Sequence, residues 1–175
     1  RVVGLTGWGV SPEGRATGLP GVMPSPAMPP VAPGQGFPGG GLVEGTKLSE
    51  GRGTTGPVEI WGVRDLDVGS LLALDLHGVS LRPVEFTPTF QKHAGRVCSG
   101  VQLHVTDPWV FRPYDAYLRM LAAVLPSVAL EARWRTEVYE YVSDRPAIDL
   151  LTGGPEFRNS VDAGASVAAV LAEEA

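Results

Sequence analysis

A mixed α/β domain, with helices packed on a small sheet, is the architecture this sequence predicts. Three observations carry it. Residues 97–105 alternate, with Val97, Val101, Leu103 and Val105 on one face and Cys98, Gly100, Gln102 and His104 on the other, the period-2 pattern of a strand with one buried side. Pro113 is suited to a first helical turn, and Tyr117, Leu118, Leu121 and Leu125 follow at helical spacing before Pro126, which reads as an amphipathic helix. A length of 175 residues with 43% apolar content is enough for one domain with a real core.

The remaining elements follow in order. Val2 to Leu5 reads as a short strand, followed by a long irregular crossing that contains Trp8. From Gly9 to Gly41 glycine and proline dominate, as in Pro24-Ser-Pro-Ala-Met-Pro-Pro30 and Phe37-Pro-Gly-Gly-Gly41, and almost no helix or strand pattern survives there. The packed unit is therefore expected to begin near Gly41, dividing the chain into residues 1–40 and 41–175. Leu42 and Val43 lead into a polar stretch as a brief strand, and residues 58–63 lead out of it as another. Between Asp65 and His77, Leu66, Leu71, Leu72, Leu74 and Leu76 suggest a helix, with Asp67 capping its start and Gly78 its end. Residues 81–86 and 137–142 read as strands. Residues 148–151 and 155–161 read as short helical turns, and Ser166 is placed to cap a last helix whose Val167, Val170 and Leu171 point inward.

Charge and composition exclude several function classes. A net charge of −5 with scattered basic residues offers no concentrated positive surface for a phosphate backbone, so nucleic acid is not an expected partner. The single Cys98 excludes an intrachain disulfide scaffold. No apolar run approaches the roughly 20 residues of a membrane span, because Asp75, His77 and Pro126 interrupt the best candidates. The chain begins with Arg1 and a strand-like pattern starts at once, so any signal peptide is expected upstream.

The chemistry concentrates in residues 44–55. Two carboxylates (Glu44, Glu50), one guanidinium (Arg52), one ammonium (Lys47) and the hydroxyls of Thr46, Ser49, Thr54 and Thr55 stand among Gly45, Gly51 and Gly53. No apolar period runs through the stretch, so it is a loop, ordered or disordered. A phosphate-binding P-loop is rejected, since Thr46 and Lys47 are reversed against the required order and Gly51 and Gly53 prevent a following helix. His93, Cys98, His104 and Asp107 have metal-ligand and nucleophile chemistry. However, on a regular strand Cys98 and His104 stand about 20 Å apart, so no metal site is expected. Glu44 and Glu50 are the more promising pair, because the glycines permit a turn bringing two carboxylates within about 5 to 10 Å, the range used in glycoside hydrolysis. Arg52 offers a planar fork for a carboxylate, either a neighbouring glutamate or one on a ligand. The alternative is a surface loop that pairs its own charges.

Phe37-Pro-Gly39 before Glu44-Gly-Thr46, then Ser49-Glu-Gly-Arg-Gly-Thr54, Phe86-Thr-Pro-Thr-Phe90, Lys92, Cys98-Ser-Gly-Val-Gln-Leu-His-Val105 and Asp107 together resemble the bacterial exo-β-N-acetylmuramidase family, formerly catalogued as a domain of unknown function. Trp8, Thr17-Gly-Leu-Pro20, Pro24-Ser-Pro26 and Asp149-Leu-Leu-Thr-Gly153 extend the resemblance over nearly the whole chain. It implies a larger protein with a Rossmann-like first domain and a smaller α/β second domain, the substrate lying in the cleft between them. The chain resembles the second part, cut at both ends, with residues 1–40 as the tail of the first domain and the crossing. The implied activity is hydrolysis of N-acetylmuramic acid from non-reducing ends of peptidoglycan fragments. No cofactor is implied, and the location implied is extracytoplasmic, either secreted or periplasmic.

The resemblance also shapes the expected roles. The family's favoured catalytic glutamates lie in the absent first domain, which leaves the catalytic groups unassigned and Glu44 and Glu50 as candidates. Thr46, Ser49, Thr54 and the two glutamates are expected to bind the sugar, with Arg52 on the lactyl carboxylate that distinguishes muramic acid from glucosamine. His104 faces the same cleft or supports the loop from the sheet. Lys47 and Ala27 depart from the family pattern, which has Asn at both places, and Lys47 exchanges a two-way amide for a donor-only cation. A non-catalytic carbohydrate-binding or structural remnant of the family is the alternative reading, and a metal hydrolase a distant third.

Overall fold

The computed structural model describes residues 2–4, 6 and 31–173. Three antiparallel strands, β1 (Ile60–Val63), β2 (Val79–Phe86) and β3 (Cys98–Val105), form one sheet in the order β1-β3-β2. Val101 stands opposite Trp61 on one side and Pro83 on the other, and Leu103 opposite Leu81. Val101, Leu103 and Trp61 thus share the face turned to the main core, as the alternation of residues 97–105 requires. The opposite face carries a small second cluster of Ile60, Phe86 and Cys98. Gly62 and Gly100 face each other where β1 and β3 meet. A Cβ on either would run into the partner strand's backbone, so no side chain fits at the crossing.

Helix α3 (Pro113–Val124) covers the inner face, burying Tyr117, Leu118, Met120, Leu121 and Val124. Its Tyr117 ring lies 6.2 Å from that of Trp61. Helix α1 (Val31–Gly40) packs on α3, where composition suggested irregular chain. Gly39 lies against the Pro113 carbonyl and the Tyr117 ring, and Gly40 against Val58 and Tyr117, with no room for a Cβ. Low intrinsic propensity is outweighed here by a bare glycine face that lets two helices approach closely, and the packed unit includes this helix rather than starting near Gly41.

Several elements differ from the sequence pattern. Leu42 and Val43 are buried in a tight 3-10 turn (Gly41–Gly45), not a strand. The leucine-rich segment after Asp65 is helical only over α2 (Gly69–Leu72). Asp67 still accepts the Gly69 N–H at 2.9 Å, but only Leu66 and Leu71 of its leucines are buried, so no continuous apolar face sustains a longer helix. Val97 is exposed outside β3. Residues 137–142 form no strand. Tyr139 and Val142 bracket a tight turn with Glu140 at φ 48° and Tyr141 at φ 67°, the left-handed pair of a type I′ turn. Val2, Val3 and Gly4 are exposed and carry no strand pairing among the described residues. Leu5, Trp8, residues 17–20, 24–26 and Ala27 lie outside the described residues.

The C-terminal part follows expectation with α4 (Ala147–Thr152), α5 (Glu156–Asp162) and α6 (Val167–Glu173). Arg158 grips Asp149 through two hydrogen bonds of 2.8 and 2.9 Å, tying α5 to α4. The Ser166 hydroxyl accepts the Ala169 N–H at 3.2 Å, and Val170 is buried. No described helix is long and apolar enough to cross a membrane.

Candidate functional site

The polar stretch is an ordered loop clamped from several sides. The Thr46 hydroxyl donates to the Val43 carbonyl at 2.8 Å and accepts the Leu48 N–H at 3.1 Å. Leu48 is completely buried and anchors the loop to the core. Ser49 and Gly62 exchange two backbone hydrogen bonds of 2.7 and 2.9 Å, so the loop runs along the free edge of β1. Gly51 then turns the chain at φ 71°, close against the Ile60 carbonyl. That left-handed conformation suits glycine. The turn returns Glu50 and Arg52 to the side where Glu44 stands.

These three residues build the core of a charged network with Lys92 and Tyr139. Arg52 donates from Nη2 to Glu44 Oε1 and from Nε to Glu50 Oε1 at 2.7 Å. The Lys92 ammonium lies 3.0 Å from Glu50 Oε2, an ionic contact without hydrogen-bond alignment. It also donates to the Val43 and Glu44 carbonyls at 3.1 and 3.4 Å. Tyr139 donates its hydroxyl to Glu44 Oε2 at 3.1 Å. One guanidinium thus holds the two carboxylates side by side, as the glycine spacing suggested, and the loop pairs its own charges.

Burial sets the electrostatics. Glu50 is only 4% exposed; burial alone would raise its pKa, but Lys92 and Arg52 outweigh it and hold the carboxyl below its ordinary value. Burial depresses the Lys92 ammonium despite Glu50 beside it. Burial and the Glu44 carboxylate push the Tyr139 phenol up to about 12. A carboxylate with a depressed folded-state pKa contributes stability above its unfolded value of 4.5, and loses it as pH falls through the folded value. Glu50→Gln is therefore expected to destabilise the protein near pH 7, with the difference from wild type shrinking below pH 4.5. Urea unfolding across that range measures it.

The network forms part of the wall of an open cleft of about 880 Å³. Glu44, Thr46, Glu50 and Arg52 line it, joined by Lys47, Lys92, His93, Arg96, Arg135 and Tyr139. His93 Nε2 donates to the Lys47 carbonyl at 2.8 Å, which fixes the 91–96 turn to the loop. Arg135 donates its backbone N–H to the Gly45 carbonyl at 3.0 Å. Its guanidinium lies over the Tyr139 ring, 5.1 Å from the centroid.

Ser49, Thr54 and His104, also expected at the site, fall elsewhere. Ser49 is buried, its hydroxyl accepting the Gly51 N–H at 3.2 Å. Thr54 donates to the Gly51 carbonyl at 2.6 Å and accepts the Gly56 N–H at 3.3 Å. Both shape the turn and neither lines the cleft. His104 is exposed on β3 opposite Ser80, on the sheet face away from the main core, and does not line the cleft. Arg52, expected to meet a ligand carboxylate, lines the cleft and donates through Nη2 and Nε to Glu44 and Glu50. Lys47 turns its ammonium to the Glu131 carbonyl at 2.7 Å. Sequence reasoning gave no role to Lys92, Arg135 or Tyr139. They sit 48, 91 and 95 residues from Glu44 along the chain, and no local spacing signals such contacts. Among the described residues no group of three or more His, Cys, Asp or Glu could hold a metal ion.

Comparison with known proteins gives the family and the fold. A family profile described as exo-β-N-acetylmuramidase NamZ, C-terminal, matches residues 35–175. The peptidoglycan β-N-acetylmuramidase NamZ of Bacillus subtilis (strain 168) is 36% identical over 174 residues, which is 97% of this chain and 40% of that protein. The chain thus spans well under half the length of this curated relative. Two crystal structures of DUF1343 family proteins from Bacteroides fragilis NCTC 9343 share the fold. One has a TM-score of 0.67 at 23% identity, over 85% of this chain and 39% of the other. The second has a TM-score of 0.56 at 22% identity, over 86% of this chain and 38% of the other.

Proposed function

Because the chain belongs to the family of exo-β-N-acetylmuramidase NamZ C-terminal domains, we propose that it forms one wall of the substrate cleft of a glycoside hydrolase releasing N-acetylmuramic acid from non-reducing ends of peptidoglycan fragments. A first domain, expected to be Rossmann-like, closes the cleft and brings the proton donor. The observation that carries this reading is the state of the paired carboxylates. A general acid must hold a proton near working pH, whereas Glu50 is buried, ion-paired and held below its ordinary pKa.

In this reading Arg52 holds Glu44 and Glu50 in place, and Glu44, at 23% side-chain exposure, accepts hydrogen bonds from sugar hydroxyls. Ser49, Thr54 and Thr46 keep the loop in shape beneath it. The reaction proceeds outside the cytoplasm, where peptidoglycan lies. No cofactor takes part.

The full-length protein is expected to hydrolyse a chromogenic N-acetylmuramic acid glycoside, and the isolated 175 residues to be inert on it. Release of the chromophore, followed by absorbance, is the measurement. Turnover by the isolated chain would move Glu44 or Glu50 into the catalytic role. Inertness of the full-length protein would favour a carbohydrate-binding remnant.

A further inference from the structure

We propose that Arg135 recognises a carboxylate on the bound sugar, the lactyl group of a muramic acid unit. This rests on the reading of the cleft as a muramic acid site. Five strong cations line the cleft: Lys47, Arg52, Lys92, Arg96 and Arg135. Arg52 and Lys92 are taken up by Glu44 and Glu50, and Lys47 by a backbone carbonyl. Two guanidiniums remain.

Of these, Arg135 is the positioned one. Its main chain is pinned to Gly45, next to Glu44. Its guanidinium rests on the Tyr139 ring, and that ring is itself held by the hydroxyl's bond to Glu44. A cation–π contact fixes a guanidinium while leaving its edge N–H donors free. Those donors are poorly used: one reaches the Val138 carbonyl at 3.4 Å, and the nearest carboxylate, Glu137, is 4.0 Å away and 69% exposed. The Arg135 side chain is 30% exposed. Arg96, exposed on the 91–96 turn, makes no side-chain hydrogen bond or ion pair among the described residues, and adds positive charge without a fixed place.

The local field favours an anion there. Arg135 is among the charges that disfavour the protonated Lys92 ammonium, after burial, and the five cations of the wall stand against the four carboxylates of Glu44, Glu50, Glu137 and Glu140, which leaves one positive charge in excess. A planar carboxylate offers two oxygens to a guanidinium fork. A neutral sugar would leave that fork unpaired in the filled cleft, and this difference is what discriminates between the two.

The test measures binding of N-acetylmuramic acid and of its lactyl methyl ester to the full-length protein by calorimetry. Esterification removes the ligand's charge and adds one methyl group, and comparison across the Arg135 variants separates the two effects. Wild type is expected to prefer the acid by about 30-fold, the range for a hydrogen bond to a charged group. Arg135→Met is expected to erase that preference, and Arg135→Lys, which keeps the charge and loses the fork, to retain part of it. Arg135→Lys also serves if the methionine variant does not fold. An undiminished preference in either variant overturns the assignment. A wild-type protein that binds neither compound overturns the reading of the cleft itself.

Discussion

Replacing Arg52 by alanine is expected to lower the unfolding free energy by about 3 kcal/mol, the low end of the range for breaking a buried ion pair. The cost arises from what stays behind. Glu50 remains buried with Lys92 as its one close cation, and Glu44 keeps only the Tyr139 hydroxyl. Two carboxylates that shared a guanidinium then face each other across its empty place. The value sits at the low end because Arg52 and Glu44 each retain 23% side-chain exposure, and water takes over part of the screening. Arg52→Lys keeps the charge but cannot reach both glutamates with fixed geometry, and should recover about half the loss. In the full-length protein the alanine variant should also lose about 100-fold in kcat/KM on a muramic acid glycoside, because Glu44 is no longer held in position. Urea unfolding and steady-state kinetics measure the two effects. Wild-type stability in the alanine variant would mean that Lys92 and solvent suffice for the glutamates.

Gly45→Val is expected to cost about 3 kcal/mol through overpacking and to disturb the cleft from beneath. A Cβ at residue 45 would stand 2.8 Å from the Ile148 Cα and 2.9 Å from its backbone nitrogen. Both atoms belong to α4, which is tied to α5 by the Asp149–Arg158 pair, so the helix cannot yield as a side-chain tip would. The displaced residue 45 sits beside Glu44, and its carbonyl accepts the Arg135 N–H. One substitution thus moves the carboxylate and the cation of the cleft together. Gly45→Ala should show the same effects in smaller measure, and Ile148→Ala, which leaves the colliding backbone atoms in place, should not rescue the valine variant. Unfolding by urea and binding of N-acetylmuramic acid measure both.

The strand of residues 98–105 and the helix of residues 113–124 were legible because their apolar periods are long and unbroken. The three short C-terminal helices were legible from their caps and prolines. Helix α1 was not, since propensity argues against a helix containing glycines and Pro38. Its stability comes from close approach to α3, which no local pattern encodes. The 137–142 segment alternates like a strand, yet the left-handed Glu140 and Tyr141 turn it back on itself at the rim of the cleft.

The resemblance and the dense polar loop already pointed to the candidate site in the sequence, and the glycines around Glu44, Glu50 and Arg52 foretold a turn that joins them. Local chemistry determined that much: residue types, spacing and the absence of an apolar period. Only the tertiary structure decided how the charges are used. Lys92, Arg135 and Tyr139 arrive from distant turns, Ser49, Thr54 and His104 point elsewhere, and Arg52 is committed to its own loop. A cation's partner depends on distances of a few ångströms between segments far apart in the chain, and packing sets those distances. Thus the loop named in the sequence supplies the carboxylates, while Arg135, the cation proposed to meet a ligand, belongs to another part of the fold.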